Sequence, residues 1–266
     1  MKMRYPAAAD KFYPASPQLL NSQLDEAFQG LTREVWPVIG AVVPHAGYVY
    51  SGSVAAEVYS RLPRRDTYVL IGPNHYGVGL PVAMSRESWQ TPLGVVECDQ
   101  ELAEALEGTI IAEDEAAHLY EHSLEVQLPF LQRGFADFKI LPISLGLQDE
   151  DTAIEVGTAV GQAASRLGRD CTIIASSDLT HYQRQEVARQ NDISVVEAVL
   201  RMEVSELYSR IYSKNISACG YGPIASTIVA SRILGASSGK LLRYATSGDV
   251  SGDYNQVVGY SAIVFT

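Results

Sequence analysis

The feature that most constrains this chain is a set of short apolar runs, each followed at once by a polar turn. Val38–Val43 runs into PHAGYVYSG, Tyr68–Ile71 into GPNHYG, and Cys171–Ser176 into SDLTHY. Unbroken runs rich in Val and Ile, without polar alternation, are typical of strands that helices cover on both faces. The pattern therefore predicts an α/β fold with a central mixed, mostly parallel sheet and helices on both faces.

Further strand and helix candidates alternate with these runs. The additional strands are Gly94–Glu97, Lys139–Ser144, Leu241–Ala245 and Val257–Phe265, and the longer helices are Pro17–Phe28, Leu124–Leu131, Thr152–Leu167, Arg184–Leu200 and Ile224–Leu234. The stretch Gly72–Thr91 is predicted to be a loop that holds a short hairpin. No repeat or linker-like change of composition divides the 266 residues, so we expect one domain over residues 1–266.

Two shorter helices are predicted from their caps. Asp99 precedes QELAEALEG, in which Gly108 supplies the end of the helix. A second helix is expected to begin at Ser51 or Ser53 and to end near Leu62.

The charge balance and the cysteines restrict the functional class. Lys and Arg number 20 against 31 Asp and Glu, a net charge of -11, which repels phosphate backbones and anionic lipids. We therefore expect neither nucleic-acid nor membrane binding. The N-terminus has no continuous apolar region of the kind a signal peptide needs. Cys98, Cys171 and Cys219 are an odd number without CxxC spacing, which indicates reduced thiols and a cytoplasmic protein.

Four polar side chains follow the ends of three predicted strands. His45 follows the first, His75 the second, and Asp178 and His181 the third. In open α/β sheets, ligands bind outside the carboxyl ends of the strands, so we expect these side chains to converge. Neutral imidazole is the commonest metal ligand in proteins and is suited to proton transfer near pH 7. The alternative is that each histidine only closes its own loop by hydrogen bonding to the backbone.

Cys219 is the thiol with the strongest functional signal. It stands in SACGYGPIAST, just before a predicted helix, where the helix N-terminus lowers a thiol's pKa and a bound metal would deprotonate it. The alternative is a small buried apolar residue. Cys98 and Cys171 lie among strand residues and are predicted to be in the core.

Two formal motif matches do not hold. GYGPIA at residues 220–225 matches a dinucleotide-binding pattern, but it follows polar YSKNISA instead of a strand. HLYEH at residues 118–122 matches the HxxEH zinc-protease pattern, which would place His118 and His122 on one helix face. That site needs a third protein ligand, and no companion motif supplies one. We expect His122 to line a pocket and leave the role of His118 open.

Several segments together resemble the Memo family, which is also called AmmeMemoRadiSam system protein B. They are RYPAAADKFYP, VVPHAGYVYSG, LIGPNHYG, TPLGVVECD, EHSLEVQLPFLQ, ASSDLTHY, CGYGPI and SGDVSGD, and they run in order to residue 253. The family is similar in fold to class III extradiol ring-cleaving dioxygenases, which hold non-haem Fe(II) with two histidines and a carboxylate.

The resemblance implies a metal site. Its ligands would be His45, His75 and Cys219, and of the catalytic residues His181 would act as the acid/base group, with Asp178 orienting or charging it. A thiolate in place of the dioxygenase carboxylate favours Cu(I), Zn or Fe over Mg or Mn. We therefore expect a metal-binding protein with Fe(II) or copper, or else Zn, and a dioxygenase-like oxidoreductase activity.

Three further residues complete the expected pocket. His122 would assist catalysis, and Tyr48 and Tyr50 would bind a small-molecule or peptide ligand. Two alternatives use the same pocket without turnover: a module that binds phosphotyrosine-type peptides, and a protein that buffers metal. The family's gene-neighbourhood label suggests a functional association with radical-SAM and AMMECR1-like proteins. The sequence leaves the oligomeric state open.

Overall fold

The computed structural model describes residues 2–266, which fold around one large mixed sheet. Its strands are β1 (Met3–Arg4), β2 (Gly40–Val43), β3 (Thr67–Pro73), β4 (Val82–Met84), β5 (Ser88–Thr91), β6 (Gly94–Cys98), β7 (Ala112–Glu113), β8 (Lys139–Leu145), β9 (Cys171–Ser176), β10 (His181–Gln183), β11 (Gly239–Thr246) and β12 (Val257–Phe265).

Helices connect most of these strands. They are α1 (Pro17–Ala27), α2 (Tyr48–Tyr59), α3 (Gln100–Glu104), α4 (Leu128–Gly134), α5 (Glu150–Leu167), α6 (Gln185–Leu200), α7 (Val204–Lys214), α8 (Tyr221–Ile233) and α9 (Gly248–Ser251), with 3-10 turns at Glu115–His118 and Glu125–Gln127. Ser16 caps α1 by accepting a hydrogen bond from Leu19 N, and Asp99, as predicted, caps α3 by accepting one from Leu102 N.

The order of the strands places the predicted loops side by side. The sheet runs β1-β5-β6-β8-β3-β9-β2-β12-β10, and β11 pairs with β12. In its centre β6, β8, β3, β9 and β2 are parallel, whereas β12 is antiparallel to β2. The predicted α/β class with a mixed, mostly parallel sheet is confirmed. Because β3, β9 and β2 are adjacent and parallel, their carboxyl ends meet at one edge.

Helices cover both faces of this sheet, as predicted. Leu70 of β3 packs in one apolar cluster with α1 and α2, whereas its neighbours Val69 and Ile71 pack in another with α3 and α5. A further cluster joins α6, α7 and α8 to the sheet. This alternation explains why the central strands are apolar at every position. Among residues 2–266, no helix combines the length and the apolar character needed to cross a bilayer.

Two helices differ from their predicted bounds for identifiable reasons. Helix α2 begins at Tyr48 instead of Ser51 or Ser53, because the carbonyl of Phe12 accepts the Tyr48 N–H and no serine cap is needed. The predicted helix Leu124–Leu131 is split into a 3-10 turn and α4. Pro129, near the start of α4, lacks the N–H that a continuous α-helix would require.

Other elements lie outside the predicted set. The loop predicted at Gly72–Thr91 contains β4 and β5, and α7 fills a stretch for which no helix is predicted. In α7 the buried residues are Val204, Leu207, Tyr208 and Ile211, a helical spacing that polar residues interrupt. Such short or mostly polar elements depend on packing against neighbours more than on their own sequence.

Gly220 allows the start of α8 to approach the end of β9. A Cβ built on Gly220 would lie 2.7 Å from the carbonyl oxygen of Ser176 and 2.7 Å from Cβ of Ser177. Both are closer than non-bonded atoms allow, and one of them is backbone. Glycine is therefore required here for space, since its φ of -120° is open to any residue.

We predict that Gly220→Ala destabilises the fold by about 1–3 kcal/mol, because the added methyl group has no room. The control is Gly134→Ala, which adds the same methyl group at an exposed helical position with no atom within 4 Å. That change should be neutral or stabilise by about 0.5–1 kcal/mol. Urea unfolding measures both, and equal effects of the two substitutions would contradict the account.

Candidate metal centre

Three histidines meet beyond the carboxyl ends of the parallel strands. One residue separates His45 from Val43, the last residue of β2. One residue likewise separates His75 from Pro73, the last residue of β3. His122 comes from the segment between the two 3-10 turns. The ligand atoms of His45, His75 and His122 all lie within 4.8 Å of one another. This spacing allows one metal ion to contact all three rings.

Cys219 lies beside His45. Its Sγ is 3.2 Å from Nε2 of His45 and accepts a hydrogen bond from the backbone N–H of Asp178 at 3.3 Å. Oδ2 of Asp178 is 4.0 Å from the same Nε2. The structure thus brings the predicted ligands His45, His75 and Cys219 into one region, with His122 alongside them. Which of these atoms bind a metal remains a prediction.

The other ring nitrogen of two histidines is already engaged. Nδ1 of His45 is 2.9 Å from Oγ of Ser176, and Nδ1 of His75 is 2.9 Å from Oε1 of Glu121. Metal-binding histidines commonly use one ring nitrogen in this way and bind the ion through the other. Nε2 is therefore the atom through which both rings would bind a metal, and on His45 it lies against Sγ of Cys219.

Burial keeps the imidazoles of His45 and His122 neutral. Loss of hydration, followed by the charge of His75, lowers the pKa of His45 to about 3. Loss of hydration and then the charge of His45 lower the pKa of His122 to about 3 as well. Burial alone would raise the pKa of Glu121, but the hydrogen bond from His75 and the charges of the two nearby imidazoles lower it to about 2. At pH 7 the centre therefore holds the neutral rings of His45 and His122 beside the ionised Glu121 carboxylate.

The pKa of the Cys219 thiol is raised, whereas the sequence predicts that it is lowered. Burial, followed by the charge of Asp178, raises the pKa of the Cys219 thiol well above its usual range. Cys219 directly precedes Gly220, the N-cap residue of α8, but the pKa-lowering effect of this helix N-terminus does not outweigh burial and the Asp178 charge. The metal-free protein thus holds a protonated thiol at pH 7, and a bound metal would have to displace the proton. Cys98 and Cys171 are buried free thiols, as predicted.

Asp178 and His181 lie in the loop that follows β9. Oδ1 of Asp178 accepts the backbone N–H of His45 at 2.8 Å, and burial raises the pKa of this carboxyl. Nδ1 of His181 is 2.9 Å from the carbonyl oxygen of Ser217, which can only accept, so Nδ1 carries the proton. His181 is partly exposed, and its Nε2 is left available for proton exchange with solvent or a ligand.

The two tyrosines predicted to bind a ligand occupy different environments. Tyr48 is buried among Tyr13 and Phe130, and its hydroxyl donates to the carbonyl oxygen of Val126 at 2.6 Å. Its single hydroxyl hydrogen is therefore already used within the core. Tyr50 is exposed on the same helix.

The N-terminal arm, residues 3–13, supports the segment that carries His122. Phe12 stacks on the His122 ring with centroids 4.0 Å apart and planes inclined by 19°. Arg4 donates to the carbonyl oxygens of His118 and Glu121 at 2.7 and 2.6 Å. Neither Phe12 nor Glu121 is among the site residues predicted from the sequence. The only local signal for Glu121 is its position next to a candidate histidine.

His118 lies apart from the three rings. It is fully buried on the first 3-10 turn, edge-on to Trp89 with ring centroids 5.7 Å apart. His122 lies beyond the end of that turn, so the two histidines do not share the helix face that an HxxEH site requires. The hypothesis of an HxxEH zinc-protease site, which the sequence already disfavoured, is therefore contradicted.

The fold and the imidazole group together define an α/β protein with a candidate metal centre at the carboxyl ends of parallel strands. The family described as Memo-like protein matches residues 4–264. A MEMO1 family protein of Methanosarcina barkeri is 55% identical over 263 residues, covering 98% of this chain and 99% of the relative. One of Archaeoglobus fulgidus is 51% identical over 263 residues, covering 99% of each chain. The chain belongs to the Memo family, as its motifs predicted.

The fold also occurs in a distant solved structure. The crystal structure of an uncharacterized protein from Escherichia coli K12 is similar with a TM-score of 0.55 at 11% identity. The match covers 85% of this chain and 98% of the other. At this identity the similarity concerns the fold alone.

The lowered histidine pKa values predict acid sensitivity of the metal-free protein. Unfolding restores a pKa near 6.5 to His45, so the unfolded chain binds more protons between about pH 6.5 and 3. The free energy of unfolding should therefore fall as the pH is lowered through this window. His45→Gln should make the pH dependence shallower by up to about 1.4 kcal/mol per pH unit. Urea unfolding at pH 7, 6 and 5 tests this, and identical slopes would refute it.

Proposed function

We propose that this protein binds a transition-metal ion through Nε2 of His45 and Nε2 of His75, with a further ligand from Cys219 or His122. The observation that carries the proposal is the convergence of three imidazoles whose ligand atoms lie within 4.8 Å of one another. The donor set fits a metal, because the His45 and His122 rings are unprotonated at pH 7 and Nδ1 of His122 is buried without a hydrogen-bond partner. Imidazole suits Zn, Cu and Fe.

We further propose that the ion is Fe(II) or copper and that the protein is an oxidoreductase, with Zn as the non-redox alternative. A thiol next to an imidazole supports a soft or borderline metal over Mg or Mn. When bound, iron or copper would supply electron transfer and an open coordination position. His181 would exchange protons through its free Nε2. Asp178 would orient the His45 loop through the His45 N–H.

Metal binding is tested by anaerobic reconstitution with Fe(II), Cu(I) or Zn(II) and by measuring bound metal after desalting. We expect about one ion per chain, and His45→Ala or His75→Ala should reduce the bound metal at least tenfold through loss of a direct ligand. The matched control is His118→Gln, since His118 is a buried histidine outside the group. Equal metal content in His45→Ala and the unsubstituted protein would overturn the proposal.

Oxygen uptake separates catalysis from storage. With a redox metal bound, an oxidoreductase should consume oxygen in the presence of a phenolic or other reducing substrate, and His181→Gln should slow this more than it lowers metal content. Rapid transfer of the metal to a chelator without oxygen uptake would instead support metal buffering. Binding of phosphotyrosine peptides that persists after metal removal would support the peptide-binding alternative.

A further inference from the structure

We propose that Ser176 and Glu121 are positioning residues that fix His45 and His75 as Nδ1–H tautomers, so that both Nε2 atoms carry a lone pair before any metal arrives, the one on His45 facing Sγ of Cys219 at 3.2 Å. The proposal deepens the proposed function, because it concerns the same two rings. It is carried by the hydrogen-bond partners of the rings, which leave only one consistent assignment of protons.

The proton on His45 follows from the single hydrogen of the Ser176 hydroxyl. Oγ of Ser176 lies 2.6 Å from the carbonyl oxygen of Ser123, 2.8 Å from Nε2 of Gln127 and 2.9 Å from Nδ1 of His45. The carbonyl can only accept, so it takes the hydroxyl hydrogen. The two lone pairs of Oγ then accept from the other two groups. Nδ1 of His45 must therefore carry the proton.

The orientation of Gln127 is itself determined by its neighbours. One side of its amide lies 3.1 Å from the carbonyl oxygen of Pro44, which only an N–H can satisfy. The other side accepts the hydroxyl of Tyr59 at 2.7 Å. Tyr59, Gln127 and Ser176 are all buried, so these hydrogen bonds have no competing water. Each of these hydrogen bonds therefore has one possible direction, and both Gln127 and His45 donate to Oγ of Ser176.

The proton on His75 follows from the hydrogen bonds that Glu121 already accepts. Both of its carboxylate oxygens accept backbone N–H groups, and Oε1 is 2.9 Å from Nδ1 of His75. Three backbone N–H groups hold the carboxylate in place: His75 on Oε2 at 2.6 Å, and His122 and Ser123 on Oε1 at 2.9 and 2.8 Å. Nδ1 of His75 therefore donates to a carboxylate whose orientation these hydrogen bonds fix.

His122 provides an internal contrast. Its Nδ1 lies 3.4 Å from Oε1 of Glu121, beyond a good hydrogen bond, and has no other partner. Phe12 sets the plane of this ring by stacking, but stacking does not select a tautomer. The structure thus provides tautomer selection for His45 and His75 and none for His122.

The first test is the tautomeric state of the metal-free protein, measured by long-range proton–nitrogen NMR correlations of nitrogen-15-labelled histidine. We expect His45 and His75 to be Nδ1–H. In Ser176→Ala, His45 should lose this preference while His75 keeps it. The control is Ser144→Ala, which removes a buried hydroxyl on β8 that has no hydrogen-bond partner. An Nε2–H state of either ring in the unsubstituted protein would overturn the proposal, even if the variants failed to fold.

The second measurement is the Zn(II) dissociation constant, by competition with a chromophoric chelator. Loss of such outer partners typically weakens metal binding about 10–100-fold. We expect a weakening in this range for Ser176→Ala and Glu121→Gln, and none for Ser144→Ala. Unchanged affinity in both of the first two variants would refute the positioning role. If the tautomers are as assigned but the protein binds none of the metals, the metal-binding function fails and the tautomer assignment stands.

Discussion

The parallel pairing of β3, β9 and β2 is the constraint on which the rest of the site depends. Residues Val69 to Ile71 of β3 pair with Ile173 to Ala175 of β9, which pairs in turn with β2. Because the three strands point the same way, His75, Asp178 and His45 emerge at one edge within a few residues of the strand ends. A shift of one residue in any strand would exchange the side chains that pack on its two faces and displace its histidine or aspartate.

Burial then decides the chemical state of that edge. The N-terminal arm and the segment around Glu121 cover the rings, and the loss of water keeps His45 and His122 neutral. The free-energy cost of burying the Glu121 carboxylate is offset by the hydrogen bonds that it accepts from backbone N–H groups. Arg4 is buried too and pairs with Glu125 at 2.6 Å, which ties the arm to the same segment. The contacts that hold the N-terminal arm against the Glu121 segment thus also exclude the water that would allow His45 and His122 to be protonated.

The sequence predicts the parts of the site that adjoin regular strands. His45, His75 and Asp178 follow apolar runs directly, so their meeting place could be inferred from topology. His122 comes from a stretch of two 3-10 turns, and its place beside the other rings depends on contacts from Arg4 and Phe12 that no local pattern shows. The position before a helix predicts a lowered thiol pKa for Cys219. Burial in the folded protein instead raises this pKa, and the local sequence does not show how deeply Cys219 is buried.

Anomalous diffraction from crystals of the metal-loaded protein tests the central claim most directly. The account predicts a metal peak bonded to Nε2 of both His45 and His75 at about 2.0–2.1 Å if the ion is zinc. A peak bonded through Nδ1 of either ring, or one located away from these two histidines, would contradict it.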